Sequence, residues 1–145
     1  LCGRTSRKGI THNIDAMKIG ICSDHAGFEY KSKLIPYLEK MGYEVEDFGT
    51  HSTESMDYPD VAHPLAIAVE SGMAMTLNKH QGIRAGLAWG TEIGKLVKAH
   101  NNANVLVMPA RFISYKMVQE ITKVWLETPF EGGRHERRIE KIPCK

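Results

Sequence analysis

The chain has 145 residues, enough for one domain that buries about two thirds of the surface its unfolded form exposes. With 42% hydrophobic and 25% charged residues, its composition is that of a soluble globular protein and excludes a disordered chain or a fibre. The net charge is +2 with acids and bases interleaved, which argues against the one-sided basic surface of a nucleic-acid binder.

The cysteines and the N-terminal segment predict a cytoplasmic protein. The three cysteines are an odd number, with neither C-x-x-C spacing nor a paired histidine motif for zinc, which favours a reducing compartment. No apolar run approaches the ~20 residues of a membrane span, and residues 1–16 lack the apolar core of a signal peptide. We interpret 1–16 as a disordered extension or an expression remnant, and 17–142 as a single domain.

An apolar strand beginning at Lys18 runs into a polar elbow, Ser23-Asp24-His25-Ala26-Gly27, and then into an amphipathic helix that ends near Gly42. In an open parallel sheet, ligands collect at the carboxyl ends of strands, where the following helix presents free N–H groups. Asp24 and His25 would lie at that edge. The alternative is that Ser23 or Asp24 only caps the helix, and this stretch taken alone favours the cap.

Strands and helices alternate through most of the remaining chain. Strands are predicted at 43–49, 83–89 and 104–108, and helices at 92–100, 113–127 and 134–141. The strand at 43–49 alternates apolar with acidic residues, which places it nearer the sheet edge than the first strand. This order predicts an α/β domain whose parallel strands are joined by right-handed crossovers.

The alternation breaks once, in the segment between Asp57 and His80. The stretch Asp57-Tyr58-Pro59-Asp60 has helix-start chemistry, and an apolar stripe at helical spacing then closes at Gly72. Residues 73–80 also have a helical pattern. A helix therefore follows a helix, with no strand between them.

Polar side chains outside the first elbow also lie where strands end or helices begin and end. Tyr58 is at a helix start, and His100 with Asn101 is at a helix end, where an asparagine is also common as a simple C-cap. Arg111 follows the strand at 104–108 and is expected at the same edge as His25.

Arg134 and Arg138 are four residues apart in the last predicted helix and share one of its faces. Forked guanidinium donors suit a phosphate dianion, whereas charge alone favours a solvated basic tail. Cys22, on a buried strand, is interpreted as a small hydrophobic residue rather than a nucleophile.

Taken together, these motifs resemble the ribose-5-phosphate isomerase B family and its relatives, the galactose-6-phosphate isomerase subunits. The resemblance covers 17–142 in order and spacing, except at one place. It is carried by Ser23-Asp24-His25-Ala26-Gly27-Phe28, Asp57-Tyr58-Pro59-Asp60, Asn78-Lys79, Gly82-Ile83-Arg84-Ala85, His100-Asn101-Asn102-Ala103-Asn104, Arg111 and Glu131-Gly132-Gly133-Arg134-His135-Glu136-Arg137-Arg138.

The resemblance implies a Rossmann-like three-layer sandwich with a mostly parallel sheet and no metal or nucleotide cofactor. It also implies a homodimer, with a dimer of dimers as a further assembly, whose active sites draw residues from both subunits. The implied reaction interconverts ribose 5-phosphate and ribulose 5-phosphate through ring opening and an enediolate. The substrate is a small sugar phosphate, and neither nucleic acid nor membrane is an expected partner.

The same resemblance assigns roles to individual residues. Asp24 and His100 match the catalytic residues that act on the sugar ring oxygen and the C1 hydroxyl. The phosphate-binding set is matched by His25, Arg111, Arg134 and Arg138, and residues of the sugar pocket by Tyr58 and Asn101.

One departure leaves the base for proton transfer unassigned. Family members carry a central strand and a Cys-Gly-Ser/Thr-Gly-Asn-Gly loop between the positions of Gly72 and Met73. That loop supplies donors for the enediolate and, in one branch, the cysteine base; another branch uses a glutamate where this chain has Met73. Losing the strand would leave unpaired backbone groups in the middle of the sheet. We therefore hypothesise that about fifteen residues, enough for a strand and a loop, are missing between Gly72 and Met73.

Two other functions stay open beside the isomerase. One is a galactose-6-phosphate isomerase subunit, which would keep the chemistry and change the sugar. The other is a non-catalytic homologue that binds sugar phosphates through the arginines and lacks the base.

Overall fold

A computed structural model describes residues 18–51, 67–68 and 71–143. The described elements are β1 Lys18–Ile21, α1 Phe28–Lys40, β2 Glu44–Asp47, β3 Ile67–Ala68, α2 Ser71–Leu77, β4 Ala85–Leu87, α3 Thr91–Ala99, β5 Val105–Val107, α4 Tyr115–Glu127 and α5 Arg134–Ile139. The strands form one sheet in the order β2-β1-β3-β5-β4, and every pairing is parallel. This confirms the α/β fold. Residues 1–16 and Tyr58 lie outside the described residues.

The burial of the strands follows their positions in the sheet. Ile19 and Ile21 of β1 are almost completely buried, and so are all three residues of β5. β2 lies at the edge, where its exposed Glu46 forms an ion pair with Lys18 at 2.7 Å. Alternating apolar and acidic residues are suited to this edge, because only one face of β2 packs against the core.

Helices cover both faces of the sheet, which makes three layers. On one face, Leu106 and Met108 pack with residues of α1 and α4, including Leu34 and Trp125. On the other face, Val105 and Val107 pack with Met73 and Leu77 of α2. Successive residues of a strand point to opposite faces, so β5 contributes to both cores. No helix in the described part of the chain is long and apolar enough to cross a membrane.

A two-residue strand occupies the centre of the sheet, and this corrects the expectation that the central strand is missing. Ile67 of β3 pairs with Ile21 and with Leu106, and Ala68 pairs with Val107. Ile67 and Ala68 also show that the helix predicted up to Gly72 is wrong at these two positions. Its positions 61–66 and 69–70 lie outside the described residues. The flanking strands present backbone donors and acceptors in a buried place, and pairing with them outweighs the weak local preference for helix.

The topology separates two groups of candidate residues. From β1 the chain moves to β2 on one side, whereas from β3 it moves to β4 and β5 on the other, so β1 and β3 flank a topological switch point. Asp24 and His25 follow β1 at this carboxyl edge. Helices α3 and α4 start from the same edge and run back. Residues that follow them, including His100 and the tail after Glu127, therefore lie at the amino edge.

Candidate functional site

The carboxyl edge of the sheet holds Asp24, His25 and Arg111. Arg111 Nη2 lies 3.5 Å from His25 Nε2, although the two residues are 86 positions apart in the chain. Their loops follow β1 and β5, which flank the central strand and end at the same edge. An imidazole and a guanidinium side by side at a switch point can bind an anion.

Asp24 also has the helix-start role that its local sequence favours. Its side chain is 7% exposed, and Oδ1 accepts a hydrogen bond from the Gly27 N–H at 3.0 Å. This bond fixes the orientation of the carboxylate just before α1. The cap and the candidate catalytic role are therefore compatible, since a carboxylate has further acceptor capacity.

Two buried polar atoms beside this carboxylate have no hydrogen-bond partner among the described residues. They are Ser23 Oγ and His25 Nδ1. A buried polar atom without a partner costs free energy, so such atoms are rare in native proteins and often face a ligand or water. Their position at the end of β1 indicates that this edge receives a polar occupant.

A buried ion pair supports the elbow. Lys31 is 1% exposed, and its Nζ donates to Asp47 Oδ2 at 2.6 Å. Asp47 Oδ1 accepts from the Gly49 N–H at 2.9 Å, and the Gly49 carbonyl accepts from the Ser23 N–H at 2.9 Å. These bonds connect α1 and the end of β2 to the residue before Asp24.

Sequence reasoning gave Lys31 no role. A signal was present, because Lys31 falls three residues after Phe28 and three before Leu34, on the apolar face. A charged residue at an apolar position of an amphipathic helix indicates a buried partner.

The amino edge holds a second group, built around two stacked histidines. The rings of His100 and His135 have centroids 4.2 Å apart and planes within 7°. Glu131 Oε2 lies 3.6 Å from His100 Nε2 and 3.7 Å from His135 Nε2. Burial lowers the pKa of His135, and the neighbouring His100 and Arg134 lower it further against the opposing effect of Glu131. These effects favour the neutral form of His135.

Local backbone geometry brings the tail to the end of α3. The Glu131 N–H donates to the Ala99 carbonyl at 2.9 Å, which fixes the tail beside His100. Gly132 and Gly133 then adopt φ values of 66° and 58°, a region that side chains other than glycine rarely occupy. The turn allows α5 to begin at Arg134. Sequence reasoning quoted Glu131 and His135 within a motif but gave neither a role.

The other candidate residues at the amino edge are exposed; they are Asn101, Arg134 and Arg138. Arg134 donates from Nε to His135 Nε2 at 3.5 Å, and Arg138 follows one turn later in α5. Asn101 lines a cavity of about 280 Å³ together with Arg84 and Ile142.

One copy of the chain does not bring all the candidates together. Asp24, His25 and Arg111 are at the carboxyl edge, whereas the amino edge holds His100, Asn101, Arg134 and Arg138. Strands of three or four residues separate the edges by roughly 10 Å, before any loop is counted. Asp24 and His100 of the same copy therefore cannot act on one sugar ring.

Two sulfur-containing side chains lie together beneath the carboxyl edge, and neither can supply the missing base. Cys22 Sγ is 3.8 Å from Met73 Sδ, and both residues are buried. Burial raises the pKa of the Cys22 thiol to about 12, despite the nearby positive charge of Lys31. The thiol therefore stays protonated at pH 7. Met73 has no proton to exchange.

Comparisons with known proteins agree with the fold. The sequence model of the family described as Ribose/Galactose Isomerase matches residues 19–142. The chain is 34% identical over 139 residues to ribose-5-phosphate isomerase B of Escherichia coli, covering 86% of this chain and 93% of that protein. A Rickettsia bellii protein, named only provisionally as a sugar phosphate isomerase, is 40% identical over 138 residues, covering 86% of this chain and 96% of the relative.

Solved structures show the same similarity. The crystal structure of a Thermotoga maritima ribose 5-phosphate isomerase superimposes with a TM-score of 0.84 at 45% identity, covering 87% of this chain and 97% of that one. A Mycoplasma genitalium ribose-5-phosphate isomerase B with bound ribulose-5-phosphate gives a TM-score of 0.82 at 32% identity, covering 87% and 93%.

The alignment length and the coverage together give the number of aligned positions that have no residue in this chain. The alignment to the R. bellii protein spans 138 residues, whereas 86% of this 145-residue chain is about 125, so roughly 13 positions have no counterpart here. The place hypothesised for missing residues is nevertheless wrong, because Gly72 and Met73 are consecutive residues of α2 and the central strand lies before them.

Proposed function

We propose that this chain, which belongs to the ribose/galactose isomerase family and is a sugar-phosphate isomerase, interconverts ribose 5-phosphate and ribulose 5-phosphate. The observation that carries the proposal is the contact of His25 with Arg111 at the switch point of the sheet. The E. coli and T. maritima relatives are named for this substrate, and the M. genitalium structure contains its ketose form. Cysteines without a disulfide pattern favour the cytoplasm as the location.

In this proposal the phosphate is bound by cationic side chains from both edges. His25 and Arg111 lie at the carboxyl edge of one protomer, and Arg134 and Arg138 come from the amino edge of a second copy. Guanidinium groups give phosphate forked, charge-assisted hydrogen bonds at any cellular pH. Tyr58 and Asn101 would contact the sugar hydroxyls.

Ring opening requires one group that accepts the C1 hydroxyl proton and another that donates a proton to the ring oxygen. We assign this step to Asp24 of one protomer and His100 of the other. The open aldose then loses its C2 proton and receives a proton at C1 through an enediolate. That second step needs a base and donors for the developing oxyanion. Neither Cys22 nor Met73 can be that base, and Gly72 and Met73, between which an extra segment was hypothesised, are consecutive residues of α2.

A homodimer belongs to the proposal because the candidate residues lie at opposite edges of the sheet. Two large aromatic side chains support it. Trp89 follows β4 and Phe112 follows Arg111, so both lie at the carboxyl edge, where they are 57% and 84% exposed. Exposed aromatic residues beside a half-complete site are typical of a surface that a second subunit covers.

A second candidate function is a sugar-phosphate-binding protein without isomerase activity. It is favoured by the protonated Cys22 thiol and by Met73, which leave proton transfer without a base at this place. Such a protein would keep the anion site at the carboxyl edge and have no turnover.

Turnover of ribose 5-phosphate by the purified protein tests the proposal. Formation of ribulose 5-phosphate, and weaker or no conversion of galactose 6-phosphate, is the expected result. Calorimetric binding of ribose 5-phosphate without turnover would instead support the second candidate function. Faster conversion of galactose 6-phosphate would mean that the proposed substrate is wrong.

Replacement His100→Asn should abolish turnover of the cyclic sugar with little loss of phosphate affinity; unchanged turnover would refute the role of His100 in ring opening.

A further inference from the structure

The histidine and glutamate side chains at the amino edge have the composition and spacing of a metal site. One ligand atom each from His100, Glu131 and His135 lies within 4.8 Å of the other two. Around a tetrahedral Zn²⁺, bonds of about 2.0–2.2 Å place neighbouring ligand atoms roughly 3.4 Å apart. The Glu131 oxygen is 3.6 Å and 3.7 Å from the two Nε2 atoms, so two of the three spacings are already close to that value.

We propose that His100, Glu131 and His135 bind a zinc ion, with a fourth position left for water. Two imidazole nitrogens and one carboxylate oxygen favour Zn²⁺ over Mg²⁺ or Ca²⁺, which prefer oxygen ligands. A second part, which rests on the proposed function, is that bound zinc inhibits the isomerase. The ion occupies the His100 lone pair that ring opening needs.

The backbone that carries the three ligands is already ordered without a metal. The Glu131 N–H is bonded to the Ala99 carbonyl, one residue before His100. The His135 N–H donates to the Gly132 carbonyl at 3.1 Å, and the His135 side chain is buried. Binding therefore costs little conformational entropy beyond rotation of the half-buried His100 and the exposed Glu131 side chains.

Zinc binding also depends on the protonation state of His135 and on the charge of Arg134 beside it. Arg134 donates from Nε to His135 Nε2, so that nitrogen carries a lone pair, which a metal can use instead. The two rings stack nearly parallel, so the His100 ring must rotate out of the stack before both in-plane lone pairs can face one ion. Arg134 competes with the metal for the same nitrogen and repels it. Its removal should therefore strengthen zinc binding.

Isothermal titration with zinc chloride tests the site directly. The unmodified protein should bind one Zn²⁺ per chain, and Glu131→Gln, which keeps the shape and removes the charge, should weaken the affinity at least tenfold. Glu136→Gln makes the same chemical change on an exposed residue of α5 and should bind zinc normally. Equal affinity of the protein and Glu131→Gln, or no binding at micromolar zinc, would overturn the proposal.

Two further variants test the ligand set. His135→Gln should lose zinc binding, and its melting temperature reports whether the buried substitution is tolerated. Arg134→Ala should bind zinc at least as tightly as the unmodified protein. Weaker binding by Arg134→Ala would contradict the competition between the guanidinium and the metal.

The inhibitory part is measured separately, as ribose 5-phosphate turnover against zinc concentration. Zinc should inhibit the unmodified protein, a chelator should restore the rate, and Glu131→Gln should resist the same zinc concentrations relative to its own zinc-free rate. Zinc binding without inhibition would overturn this part alone. If the protein has no isomerase activity, the titration still decides the zinc site.

Discussion

The Asp24 carboxylate shows how one residue can satisfy a local and a long-range requirement together. Its hydrogen bond from Gly27 is what a helix start needs, and it also fixes the carboxylate beside His25. The contact of His25 with Arg111 then joins two loops that are distant in sequence. A helix cap and a ligand-binding residue can therefore be the same side chain here, because the carboxyl edge of the sheet presents both the helix start and the pair of His25 and Arg111.

At Arg111, the geometry of the donor should matter more than its charge. Arg111→Lys keeps a positive charge but replaces a forked donor with a single ammonium, so KM for ribose 5-phosphate should rise about tenfold while kcat changes less. Steady-state kinetics would measure this, with inhibition by inorganic phosphate as an independent readout. Arg137→Lys, on an exposed residue outside the candidate set, is the matched control. An unaltered KM in Arg111→Lys would count against its role in phosphate binding.

The buried Cys22 thiol should make the protein less stable at alkaline pH. Its pKa is about 12 in the folded protein and 9.0 in an exposed thiol, so the unfolded chain loses this proton first. The contribution of Cys22 to the free energy of unfolding is therefore complete below pH 9 and is lost as the pH rises toward 12.

Denaturant unfolding of the protein and of Cys22→Ala between pH 8 and about pH 11 would measure this contribution. The difference in stability between them should shrink as the pH rises, since alanine has no proton to lose. A pH-independent difference would mean that the thiol is not buried in the folded protein.

At the level of elements, α3 packs closely because of two glycines. A Cβ added to Gly86 of β4 would lie 2.8 Å from Val97 Cβ, and one added to Gly94 would lie 3.0 Å from Ile121 Cγ2. These glycines are required by close approach between elements rather than by their backbone angles. Helix α3 is thereby held against β4 and α4, and its position fixes where His100 lies at the amino edge.

Gly86→Ala should destabilise the protein by about 1–3 kcal/mol, because Val97 Cβ is attached directly to the α3 backbone and cannot move away alone. Urea unfolding would measure the change. Gly90→Ala is the matched control, since nothing lies within 4 Å of a Cβ added there. It should change stability by less than about 1 kcal/mol, the size of a capping preference. Equal effects of the two substitutions would refute the packing argument.

At the level of the whole molecule, Asp24 and His100 lie at opposite edges of one sheet. If each active site combines Asp24 of one protomer with His100 of the other, two inactive variants should complement each other. In a heterodimer of Asp24→Asn and His100→Asn, one site carries both substitutions and the other carries neither.

Random mixing of the two variants should therefore restore about a quarter of the unmodified activity, since half of the dimers are mixed and half of their sites are intact. The experiment unfolds and refolds the two variants together and measures ribose 5-phosphate turnover. Each variant refolded alone is the control. Activity no greater than the sum of the controls would exclude a site shared between subunits.

Much of the architecture could be predicted from the sequence. Strands β1, β4 and β5 and the helices beside them have hydrophobic periodicity that depends only on near neighbours, so their order predicted the parallel sheet. The edge position of β2 followed from its acidic residues for the same reason. The elbow at Asp24 and His25 was recognisable because a strand end followed by a helix is a local pattern.

The central strand and the pairing of the candidate residues depended on tertiary structure. Ile67 and Ala68 fall within a segment whose local pattern predicts a helix, and they form a strand because β1 and β5 present backbone groups on both sides. Lys31 is buried because Asp47 of a neighbouring strand neutralises it, and His135 contacts His100 because a glycine turn redirects the tail. The sequence by itself determined which elements form and which polar residues end them. Only the tertiary structure decided which of those residues meet, because hydrogen bonds and ion pairs between distant segments depend on where the sheet places its edges.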